Sequence, residues 1–113
     1  MKLFNRTAII VRTKAPFLEW VESTDPDAQE QQDIIRDRVA VYLVEPAESP
    51  DAERRAVDRH AREIFEAELE AWYRDPTSWP IRRGPATLRE WFDVRTESVV
   101  FDLVDRELAC DEE

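Results

Sequence analysis

A chain of 113 residues is about one domain, and 42% hydrophobic content supports a single ordinary core despite 37% charged residues. The net charge of −10 argues against a protein that tracks nucleic-acid phosphates, whose affinity needs clustered lysine and arginine. It suits a soluble cytoplasmic protein kept off nucleic acid and anionic membrane by repulsion, and the single cysteine, Cys110, fits a reducing compartment because no intrachain disulfide can form.

The opening "MKLFNRTAIIVRTK" carries an apolar run interrupted by Asn5 and Arg6. It is too short to span a bilayer and lacks the small-residue cleavage site of a signal peptide. The run from Ala8 to Val11 predicts a strand over 7–12. In "APFLEWVES", Pro16 suits a first helical turn, and Phe17, Leu18, Trp20 and Val21 form one apolar stripe, so a helix is expected over about 16–23. The stretch 24–38 is acidic and amide-rich, with Ile34 and Ile35 as its apolar anchors; it reads as a connection holding one helical turn.

"VAVYLV", 39–44, is apolar throughout. Such a run suits a strand covered on both faces, or on one face and part of the other. Ser49 and Pro50 then read as an N-cap and first-turn proline of a long helix over about 50–74. Val57, Ala61, Ile64, Phe65, Leu69 and Trp72 recur with helical period as its inner face. Charged pairs four residues apart, such as Arg59/Glu63 and Arg62/Glu66, lace the other side at about 0.2–0.5 kcal/mol each.

Past this helix, Asp75-Pro76 marks a turn, as Asp25-Pro26 does earlier. "GPATLREWF" predicts a helix over about 86–92, with Leu88, Trp91 and Phe92 inward. "SVVFDLVD" alternates and predicts a strand over 98–105 whose mixed second face suits a sheet edge. The acidic tail is expected to fray from about residue 108. Residues 1–113 thus read as a single α+β domain, a two-layer sandwich of about three strands and three helices. The first two strands are expected to run parallel through a right-handed crossover if they share a sheet, while the place of the third is open.

Catalytic constellations are scarce. His60 is the sole histidine, so no zinc-binding histidine pair can form, and no serine sits in a G-x-S-x-G elbow. One glycine, Gly84, excludes phosphate-cradling loops. No catalytic residue, metal or cofactor is expected. Glu63, Glu66 and Glu70 share one side of the long helix; pairing with Arg74, Arg82 or Arg83 accounts for them more simply than a cation does.

The candidate partner or ligand surface is Tyr73, Trp79, Arg82, Arg83, Glu66 and Glu70. Trp72 falls in register with the core stripe, and Tyr73, one position off, is expected to be half exposed. Trp79, just before Pro80, either folds back as a lid over the core, the favoured reading, or stands out as an anchor. Arg82 and Arg83 can stack on it or bind a partner's acid.

The runs "PFL.W", "E.ELE.WY.D...WP" and "EWFD" resemble those of a group of small acidic bacterial single-domain proteins. The resemblance implies a bacterial single-domain protein and carries no activity, ligand or partner. The expected function is therefore a small cytoplasmic non-enzymatic protein-interaction or self-associating domain, whose partner is another protein or itself, without nucleic acid or membrane. The alternative is a small ligand-binding domain or enzyme using Glu66, Glu70, Arg82 and Arg83 around an aromatic pocket, and a third reading is nucleic-acid mimicry.

Overall fold

The computed structural model describes residues 1–25 and 30–111. Pro26 of the expected Asp25-Pro26 turn lies outside the described residues, as do the last two residues of the tail. The elements are β1 (Lys2–Leu3), β2 (Thr7–Thr13), α1 (Ala15–Thr24), α2 (Gln32–Asp37), β3 (Val39–Val44), α3 (Pro50–Trp72), a 3-10 turn (Pro76–Ser78), α4 (Pro85–Trp91), β4 (Phe92–Glu97) and β5 (Phe101–Asp102). They form an α+β two-layer sandwich, with the helices packed on one face of a three-stranded sheet. Among the described residues no helix is long and apolar enough to cross a membrane.

Each long element starts where its sequence supplies a start. Ser49 accepts a hydrogen bond from the Ala52 backbone N–H at 3.1 Å, capping α3, and Asp51 and Glu53 sit in its positive first turn. Prolines stand in the first turn of α1, α3, the 3-10 turn and α4. There a missing N–H costs nothing. Gly84 occupies the N-cap of α4 at φ −85°, with open space where a Cβ would stand.

The sheet order is β3-β2-β4, with both pairings antiparallel. The expected parallel crossover is therefore wrong. The connection holds two helices, α1 and α2, which carry the chain out and back to the end of β2 it left. Arg12 consequently pairs with Val39, and the Thr13 hydroxyl donates to the Ile35 carbonyl at 3.0 Å beside that re-entry.

The expected third strand is also displaced. Its place in the sheet is taken by β4, which follows α4 with no intervening loop: Phe92 caps the helix and already has extended backbone. Phe92, Val94 and Thr96 face the helices and Asp93, Arg95 and Glu97 face away, a pattern of one covered and one open face. Of 98–105, only Phe101–Asp102 is strand, paired with β1. That small ladder prolongs β2-β4 after a slip in register, with Phe4 N–H donating to Val100 at 2.8 Å.

Inside, Ile9 and Val11 of β2 meet Ile64, Phe65 and Leu69 of α3, all 3% exposed or less. Phe17, Phe65, Trp91 and Phe92 form the centre; Phe17–Phe92 centroids lie 4.9 Å apart and Phe65–Phe92 meet edge-on at 5.6 Å. Such contacts contribute about 0.5–1.5 kcal/mol each beyond area burial. Thr7, 1% exposed, donates to and accepts from Ala47, fastening β2 to the middle of the β3–α3 connection.

The outer charges of α3 reach other elements as well as their own turns. Asp58 pairs with Arg89 of α4 at 2.9 Å, and Glu45 receives both Arg59 and His60, the latter at 2.8 Å. Of the expected pairs along the helix, Arg62–Glu66 forms, at 3.1 Å.

Candidate functional site

Four of the six candidate surface residues, Tyr73, Trp79, Arg83 and Glu66, come together around the end of α3. The Trp79 indole N–H donates to the Tyr73 carbonyl at 2.8 Å, and its ring packs half-buried against the core. The Trp20 indole reaches across to the Ser78 carbonyl, also at 2.8 Å. Arg83 lies 5.9 Å from the Trp79 ring centroid, donates to the Pro80 carbonyl at 2.8 Å and pairs with Glu66 at 3.1 Å. Hydrogen bonds from Arg62 first, then Arg83, hold the Glu66 carboxyl below the usual glutamate range.

Trp79 therefore folds back as a lid, and Arg83 closes it. Tyr73 contributes its carbonyl to this latch while its side chain is 36% exposed. Glu70 and Arg82 stay exposed and make no side-chain hydrogen bond or ion pair among the described residues. The loop is held locally as well: Thr77 donates to the Asp75 carboxylate through its hydroxyl at 2.8 Å and its N–H at 3.1 Å, which lowers the Asp75 pKa.

A second cluster lies outside the six candidate residues. Glu68 sits within the inner stripe of α3, four residues after Ile64, and is 2% exposed. Arg38 Nε and Nη2 donate to its two oxygens at 3.1 and 3.2 Å, and the Tyr42 hydroxyl donates to the second. Burial first, and then the hydrogen bond to Glu68, raises the Tyr42 pKa. The same carboxylate raises that of Arg38. Beside it opens a cleft of about 500 Å³ lined by Phe17, Ile34, Ile35, Arg38, Glu68 and Trp72. The readable signal for this cluster is a carboxylate in helical register with apolar neighbours.

The third feature is the uncovered face of the sheet. Register places three rows on it: Leu43, Ala8 and Glu97; Val41, Ile10 and Arg95; Val39, Arg12 and Asp93. Val39, Val41 and Leu43 are 43%, 58% and 48% exposed. The apolar run 39–44 thus has the composition of a doubly covered strand and only one cover among the described residues. β3 is also an edge strand, free of charge and proline from end to end.

Comparison of the chain with protein-family models, with curated proteins and with solved structures finds no match in any of the three.

Proposed function

We propose that this chain is a protein-interaction domain whose docking surface is the open face of the β3-β2-β4 sheet. The observation that carries the reading is the exposure of Val39, Val41 and Leu43 on an edge strand with no charged residue. Covering a valine or leucine side chain fully is worth about 1.5–3 kcal/mol, so a partner that removes three half-exposed ones from water gains an appreciable part of a binding free energy. In this reading the domain works in a reducing cytoplasm, where exposed Cys110 stays a thiol. A photo-crosslinking residue in place of Val41 should trap a polypeptide in source cells, whereas the same residue in place of Glu90, exposed on α4, should not. No adduct from position 41 would sink the reading.

A second reading, a small-ligand site, rests on the cleft beside Trp72, where an apolar wall adjoins the partly exposed Arg38 guanidinium. Apolar carboxylates are the matching chemistry. They should raise the melting temperature of the wild type and not of Arg38→Met; uniform indifference across such a series disposes of it.

A further inference from the structure

We propose that the occupant of the open face is a second copy of this chain. The copies pack sheet on sheet about a two-fold axis running across the strands, so that β3 lies over its counterpart and β4 over its own. This rests on the interaction reading and names the partner.

Charge is the first argument. The face carries Arg12, Asp93, Arg95 and Glu97, two bases and two acids, on a chain of net charge −10. None of the four makes a side-chain hydrogen bond or ion pair among the described residues. A basic partner would be drawn to the acidic stretches elsewhere, such as 19–37, and gains nothing from a neutral face. An acidic copy meets least repulsion there.

The layout supplies the second argument. Val39, Val41, Leu43, Ala8 and Ile10 occupy the β3 side, Asp93, Arg95 and Glu97 occupy β4, and Arg12 stands at one end of β2 between Val39 and Asp93. A two-fold axis along the strands would set the apolar strand on the charged one. An axis across the strands sets like on like, and along β4 the signs run negative, positive, negative. Laid antiparallel with an offset of one outward residue, Glu97 meets Arg95 of the second copy and Arg95 meets its Glu97, and the same register sets Val41 on Leu43 and Ile10 on Ala8. The contact is isologous, as closed dimers are. It builds four layers, helix, sheet, sheet and helix, with the sheets about 10 Å apart. An extended peptide added to the β3 edge would satisfy the edge but leave Ile10 and the face of Val41 in water.

Light scattering on the full chain tests this. At roughly 100 µM, a complex with Kd near 10 µM pairs about four-fifths of the chains, so a mean mass approaching twice that of the chain is expected. Arg95→Glu turns the β4 row uniformly acidic and should weaken pairing by roughly 100-fold, and Val41→Glu should do the same. Asp93→Arg with Glu97→Arg should also be monomeric alone, and an equimolar mixture with Arg95→Glu should recover the double mass. Circular dichroism establishes that each variant is folded. A wild type of single mass, or a dimer indifferent to Val41→Glu and Arg95→Glu, overturns the proposal; so does failure of the folded mixture to pair. If the wild type stays single while position 41 crosslinks to a different chain, the second copy is refuted and the docking face stands.

Discussion

Arg38 grips Glu68 through both carboxylate oxygens, at 3.1 and 3.2 Å, joining the residue that ends α2 just before β3 to the inner face of α3. Glu68 is 2% exposed, while 46% of the Arg38 side chain remains in contact with solvent. The pair thus has one dry end and one wet end. Removing the arginine strands a buried carboxylate, a change that costs about 3–5 kcal/mol in fully buried pairs. Water at the exposed end reduces that, so Arg38→Met is expected to destabilise by about 2–4 kcal/mol and Glu68→Gln by less. Urea unfolding of both variants measures the difference; equal, sub-kilocalorie losses would reduce the pair to a surface contact.

Tyr42 makes the same cluster sensitive to alkali. Its pKa is raised in the folded chain, so the folded state holds the phenol proton more tightly than the unfolded state does. The contribution is fully present below the ordinary tyrosine range and is lost as pH rises through about 10 and beyond. Tyr42→Phe should flatten that alkaline loss and lower stability at neutral pH by about 1–2 kcal/mol through the lost bond to the buried Glu68 carboxylate. Unfolding curves at neutral and alkaline pH decide it.

Glu66 acts at the other end of the scale. Its folded carboxyl holds a proton less tightly than the unfolded one, so its stabilising effect is present above the ordinary glutamate range and disappears as pH falls below it. Glu66→Gln should therefore narrow its deficit relative to wild type as the solution is acidified. A deficit independent of pH would mean that Arg62 and Arg83 contribute nothing through charge.

The latch around Trp79 predicts a contrast among neighbours. Trp79→Ala removes core-packed surface and the bond to Tyr73, and should cost about 2–4 kcal/mol. Arg82→Ala should fall within about 0.5 kcal/mol of wild type. Were the two substitutions equal in stability, Trp79 would be better read as a recognition anchor than as a lid.

Much of the helical layer is legible in the sequence. Ser49-Pro50 announces α3, the spacing from Val57 to Leu69 gives its inner face, and Asp75-Pro76 follows its end. Strand order is another matter. Whether one helix or two link β2 to β3 turns on how Ile35 packs, with Ile34 left 70% exposed, and packing over such separations leaves no local period. β4 hides because α4 runs into it without glycine or proline, and because Asp93, Arg95 and Glu97 dilute its apolar alternation. The inward fold of Trp79 is the favoured expectation, and its bond to the Tyr73 carbonyl is near in the chain. The neighbouring bond from Trp20 to Ser78 joins residues remote in the chain. Glu68 looks like one more acid on an acidic helix until Arg38 arrives from another element. For β3 the composition was informative in an unexpected way, since it describes a strand with a cover that one described chain does not supply.

The prolines that open the helices have a further effect, exerted before any contact forms. Among the described residues no φ is positive, and Gly84 itself sits where other residues can sit. With seven prolines and one glycine in 113 residues, the unfolded chain is stiff and has less disorder to surrender on folding. Part of this domain's stability is therefore written in the state in which none of its structure exists.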